Sequence, residues 1–132
     1  MSTYNFSAGT ITHIRDNILL IKYNVLQPVT VEDIKEITKI RENIIGIKHY
    51  HAITDFTNGI VNITDEAKDY IAYQNKNNNF RISDAFITTS MATKIEINLY
   101  ILFKKPNVRT KTFDSIDKAL VWIDSLDAIF KG

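Results

Sequence analysis

Ile82-Ser83-Asp84-Ala85-Phe86-Ile87-Thr88-Thr89, followed by Ser90 and the segment Met91 to Lys105, decides the fold. The continuous triplet Ala85-Phe86-Ile87 predicts a central strand covered on both faces, because a half-exposed strand would alternate apolar with polar residues. Ser90 is placed to cap a helix. That helix, Met91 to Lys105, is apolar almost all round through Ile95, Ile97, Leu99, Tyr100, Ile101, Leu102 and Phe103, and Pro106 stands just beyond it. A buried strand leading directly into a helix is the repeating unit of a mostly parallel sheet.

The same alternation continues outward in both directions. Toward the C-terminus, Arg109 to Phe113 predicts a short polar strand at a sheet edge. Asp114 or Ser115 then caps a last helix with Ile116, Ala119, Leu120, Ile123 and Leu126 inward. Toward the N-terminus, Asn75 to Asn79 predicts a surface loop closing a helix that Thr64 caps and that carries Ala67, Tyr70, Ile71 and Gln74 on one face. Asp65 and Glu66 suit the positive end of that helix. His51 to Phe56 predicts a strand running into Thr57-Asn58-Gly59. Thr30, with Asp33 three residues on, opens a helix whose stripe is Val31, Ile34, Ile37, Ile40 and Ile44 and whose end is near Gly46. Ile11 to Arg15 and Ile18 to Tyr23 form a hairpin about Asp16-Asn17, residues that tolerate positive φ. The expected architecture is one α/β domain over residues 1–132: an antiparallel hairpin, then βαβαβα, giving a mixed sheet of about five strands and four helices. Residues 1–9 are read as a short polar segment.

Composition narrows the function classes. The 132 residues hold 45% apolar and 11% aromatic side chains, enough for a core without metals or disulfides. Sixteen basic against fifteen acidic residues leave a formal charge of +1, too balanced to collect nucleic acid or anionic membrane. The densest basic cluster, Lys104-Lys105 with Arg109 and Lys111, reads as a solvated face. With no cysteine there is no thiol chemistry, and a cytoplasmic address is the default. The polar start predicts neither a signal peptide nor a spanning helix, hence no integral membrane protein.

This order of elements resembles the STAS-like (SpoIIAA-like) family, known for bacterial anti-sigma-factor antagonists and for domains attached to anion transporters. Ala52-Ile53-Thr54-Asp55-Phe56-Thr57 is similar to its central strand ending in Asp, and Ile63-Thr64-Asp65-Glu66-Ala67 occupies its loop-to-helix switch position. Lys104 to Ile123, with Lys105-Pro106, Arg109-Thr110, Phe113, Ala119-Leu120 and Trp122, is similar to the ending of small stand-alone bacterial members of unassigned function. The resemblance implies a regulatory module. In the antagonists the second helix opens with an Asp-Ser-Ser-Gly-type motif whose serine is phosphorylated; this chain has Ile63-Thr64-Asp65-Glu66. Carboxylates at 65 and 66 repel a phosphate that the helix dipole attracts, and Thr64 is expected to serve as an N-cap rather than a switch because Thr is a common cap residue.

Two sites follow. The preferred one is a protein-binding surface formed by Thr57, Asn58, Thr64 and Asp65 and the loop and helix around residues 57–71. The alternative is a small-ligand site, for an anion or a lipid-like molecule, on the helix 91–105. There Ser90, Thr93 and Lys94 meet a polar head, aided by Thr88, Thr89 and the free N–H groups of the helix starts, while Met91, Ile95 and Leu99 meet an apolar body. The apolar excess of the same helix also allows a homodimer. His49, His51 and Asp55 lie too close together on one segment to surround a metal, so no metal is expected. His13 has no partner nearby. The serines read as caps or loop residues, no Gly-x-Ser-x-Gly elbow occurs, and carboxylates sit mostly at helix starts, so neither an enzyme nor a cofactor is expected.

Overall fold

The computed structural model describes residues 1–24, 26–59, 61–77, 80–104 and 108–131, without the side chains of 75, 77, 102–104 and 129–131. The elements run β1 (Ser2–Phe6), β2 (Gly9–Arg15), β3 (Ile18–Tyr23), α1 (Val31–Ile45), β4 (Tyr50–Asp55), α2 (Asp65–Asn77), β5 (Arg81–Ile87), α3 (Met91–Lys104), β6 (Arg109–Phe113) and α4 (Ile116–Lys131). The six strands lie side by side in chain order, antiparallel from β1 to β3 and parallel from β3 to β6.

The N-terminal residues depart from the expected loose segment. Ser2 to Phe6 pairs with β2 from Ser2↔His13 to Phe6↔Gly9, giving six strands instead of about five. Four of its five residues are exposed, so this edge strand carries no apolar alternation to betray it. Gly9, at the start of β2, permits the close approach of β3: a Cβ there would lie 2.0 Å from the Lys22 carbonyl oxygen. At the next turn Asp16 takes φ 46, as the Asp-Asn pair predicts for its first member.

Helix α1 begins in a capping box. The Thr30 hydroxyl accepts from the Asp33 N–H while the Asp33 carboxylate accepts from the Thr30 N–H at 2.8 Å. Gly46 closes the helix at φ 73. Burial works against the Asp33 charge, but the hydrogen bonds from the Ser7 hydroxyl and from the Thr30 N–H and hydroxyl prevail and hold its pKa below the ordinary carboxylate value. A carboxyl whose folded-state pKa is lowered stabilises the fold above the unfolded value and loses that contribution as pH falls through the folded one. Wild-type stability should therefore decline below about pH 4, and chemical denaturation of Asp33→Asn across that range should show a flatter profile. An unchanged slope would deny Asp33 this role.

Helix α2 runs on to Asn77, past the expected loop start at Asn75, with Asn78 and Asn79 outside the described residues. A helix already nucleated by its packed first turns propagates into these residues at little further cost. The expected stop at Pro106 and the basic residue Lys105 also lie outside the described residues.

Period-two alternation splits the core. On one face Leu19, Ile21, Tyr23, Tyr50, Ala52 and Phe56 pack with residues of α1, α2 and α3. On the other, Ile18, Ile53, Ala85 and Ile87 pack with Ala119 and Ile123 of α4. All six residues of β4 are buried, because both its faces are covered and both its edges are paired. Among the described residues no helix is long and apolar enough to cross a membrane.

Candidate functional site

On the three-helix face a cleft of about 930 Å³ opens between α2 and α3. Helix periodicity supplies two of its walls: Asp65, Lys68, Asp69 and Ile71 from α2, and Thr93, Glu96, Ile97 and Tyr100 from α3. Beneath them lie strand residues of one sheet face, Tyr23, Thr54, Arg81, Asp84 and Phe86, with Phe56 just past the end of β4. The segment Val61 to Ile63 forms part of the rim and is tied down by backbone hydrogen bonds, Val29 N–H to the Asn62 carbonyl at 2.8 Å and Thr64 N–H to the Val29 carbonyl at 3.1 Å.

The floor is a buried polar network. Arg81 donates through Nη1 to Asp84 Oδ2 at 2.9 Å and through Nε to the Tyr50 hydroxyl at 2.8 Å, and the Thr54 hydroxyl donates to Asp84 Oδ1 at 3.0 Å. The side chains of Arg81 and Asp84 are 16% and 11% exposed. Tyr50 is flanked by two guanidinium groups, Arg41 at 4.8 Å and Arg81 at 5.4 Å from its ring centroid, each attracted by the ring quadrupole. Burial pushes the Asp84 pKa up, and this outweighs the opposing pull of Arg81 and of the Thr54 hydrogen bond. Burial, with the Asp84 charge nearby, raises Tyr100 as well. Thr93 is 5% exposed, and its Oγ1 has no hydrogen-bond partner among the described residues. A cleft of aromatic and aliphatic side chains with charged groups on its walls and a fixed polar network at its base suits a small organic molecule.

A second polar chain crosses the opposite face. His51 hydrogen-bonds through Nδ1 to Ser83 Oγ at 2.7 Å and through Nε2 to Asp127 Oδ1 at 2.9 Å. The Asp127 carboxylate is an acceptor, so Nε2–H donates to it, while either atom can be the donor between Nδ1 and the Ser83 hydroxyl. Ser83 thus departs from the expectation that the serines are caps or loop residues: it sits inside β5. The order Ser-His-Asp has the connectivity of a nucleophile triad, but Ser83 and His51 are both fully buried beneath α4, where no substrate reaches the hydroxyl. The chain instead fastens α4 to the sheet.

Residues 12–127 match the family described as Domain of unknown function (DUF7793). The chain belongs to that family. Among solved structures it is similar to an uncharacterized protein of the DUF3478 family with a SpoIIAA-like fold from Shewanella loihica PV-4, with a TM-score of 0.63, 22% identity, and coverage of 92% of this chain and 98% of that one. The likeness is one of fold, and the fold is SpoIIAA-like, as the order of elements predicts. No curated protein matches.

In this DUF7793 chain the residues singled out from sequence divide between the cleft and its surroundings. Of Thr57, Asn58, Thr64 and Asp65, Asp65 lines the cleft. Thr57 and Asn58 are exposed, with the Thr57 N–H and hydroxyl both donating to Asp55 Oδ1. Thr64 caps α2, its hydroxyl accepting from the Ala67 N–H at 3.1 Å. Of Ser90, Met91, Thr93, Lys94 and Ile95, Thr93 lines the cleft. Ser90 Oγ accepts from the Thr93 N–H, and Thr88 Oγ1 accepts from the Ser90 N–H, so these hydroxyls serve the start of α3. Lys94 is exposed, and Met91 and Ile95 are 71% and 53% exposed. His49 is exposed, whereas both ring nitrogens of His51 are engaged as described.

The floor residues Arg81, Asp84, Thr54 and Tyr50 were not singled out from sequence. One signal was available: Asp84 interrupts an otherwise buried strand three residues after Arg81, and a charge placed there requires a partner.

Proposed function

We propose that this DUF7793 domain binds a small, largely apolar organic molecule in the cleft between α2 and α3. The observation that carries this reading is the cleft itself: its volume lies in the range of small-molecule sites. Its aromatic and aliphatic walls suit an apolar body, and the Arg81–Asp84–Thr54 floor offers fixed donors and acceptors to orient it. Native followed by denaturing mass spectrometry of the purified protein tests it. A retained organic molecule, absent from Leu99→Trp, which narrows the cleft from a half-exposed position, is the expected result. A bare protein, together with unshifted amide resonances for Thr54, Thr93 and Ile97 across a panel of apolar fragments, would overturn it.

A second reading, a cytoplasmic regulatory module that docks a protein or a second copy of itself, is favoured by one feature. Met91, Ile95 and Leu99 are 71%, 53% and 47% exposed at one-turn intervals along α3, and the Thr57-Asn58-Gly59 loop is exposed as well. Sedimentation of the wild type against Ile95→Glu distinguishes a dimer built on that stripe from a monomer.

A further inference from the structure

We infer that the cleft selects a ligand with a cationic head, a deepening that rests on the small-molecule reading above. Six side chains of the acidic and basic types line it, the four carboxylates Asp65, Asp69, Asp84 and Glu96 against the two cations Lys68 and Arg81, a formal net charge of −2. Burial places them at different depths. Arg81 and Asp84 are deep and already joined to each other, with Tyr50 and Thr54 completing their hydrogen bonds, so the floor presents a neutralised pair. Asp65 and Glu96 are exposed at the rim on facing helices, and neither forms an ion pair among the described residues.

The start of α2 would by itself favour an anion, through its partial positive charge. Asp65 and Glu66 occupy that first turn and offset it. An anionic head would meet like charge from both helices, whereas a cationic head meets Asp65 on one side and Glu96 on the other while its chain follows the apolar walls inward. A separate observation concerns the cleft wall: Thr93, nine-tenths buried there, has a hydroxyl with no hydrogen-bond partner among the described residues. A buried hydroxyl left unbonded costs free energy that a ligand acceptor or donor recovers.

Three probes of equal chain length and different head charge test this: decyltrimethylammonium, 1-decanol and decanoate, each titrated below its micellar concentration and followed by the amide shifts of Thr54, Thr93 and Ile97. The expected result is that at low salt decyltrimethylammonium binds about tenfold tighter than decanoate, with decanol between them and the ratio shrinking as salt screens the rim. In the double variant Asp65→Asn/Glu96→Gln, which changes exposed side chains only, the two ions should come within about twofold of each other. Decanoate binding as tightly as the cation, with shifts in the cleft, would overturn the charge selection and leave the binding reading standing. Decanol binding as tightly as decyltrimethylammonium would overturn it in the same way. If none of the three moves a cleft resonance, the binding reading itself falls.

Discussion

Asp84→Ala should lose about 3–5 kcal/mol of unfolding free energy, measured by urea denaturation, because it orphans two buried partners. The carboxylate accepts from Arg81 Nη1 and Thr54 Oγ1 at the base of the cleft, and it balances a guanidinium that is itself largely out of water. Burial outweighs Arg81 in setting the Asp84 pKa, so the carboxyl is held less readily ionised than in the unfolded chain. The sign follows: the contribution of a group with a raised folded-state pKa is full below the unfolded value and is lost as pH rises through the folded one. The alanine variant forfeits both the hydrogen bonds and the balance to Arg81. Asp84→Asn, which keeps the size and an acceptor but leaves the Arg81 charge unbalanced, should recover part of the loss. The paired replacement Arg81→Met/Asp84→Leu, which removes both charges and fills the volume, should recover most of it. If the asparagine and alanine variants lose equal stability, the charge and not the hydrogen bonding holds the floor together.

His51→Ala should lose about 3 kcal/mol and should loosen α4 selectively. The imidazole is fully buried, it meets the buried Ser83 hydroxyl on one side, and it reaches Asp127 on the last helix on the other. Truncation leaves a cavity between sheet and helix, an unbonded Ser83, and no polar tie from β4 to α4. Native-state hydrogen exchange resolves the second part: amides of α4 should exchange faster in the variant by more than the global loss accounts for, while those of α1 follow the global change. Uniform acceleration in both helices would mean that the imidazole supports the core without fastening α4 in particular.

These two networks show where sequence reading stops. Thr30 with Asp33, Thr64, Ser90, Ser115 and Gly46 announce their helix ends by local chemistry, and each caps as its type dictates. Ala85-Phe86-Ile87 announces a doubly covered strand, since alternation vanishes when both faces are buried. The β1 strand carries no such sign, because its stabilisation is backbone pairing to β2 with its side chains left in water. The cleft is less legible still. Asp65 and Thr93 can be singled out as helix-start residues, but Tyr23, Tyr50, Thr54 and Arg81 come from three other elements and Tyr100 from farther along α3, and they have nothing in common along the chain.

The sequence by itself determined which segments are helices, which central strands are buried, and that their order builds a SpoIIAA-like sheet, because periodicity and capping act within a turn or two of the chain. Only the tertiary structure decided that His51 finds Ser83 and Asp127, 32 and 76 residues away, and that Arg81 and Asp84 lie under a cleft instead of under a helix. Those outcomes depend on how far α2 and α3 stand apart on one sheet face and how closely α4 covers the other. That spacing is set by side chains packing across elements, which no local pattern encodes.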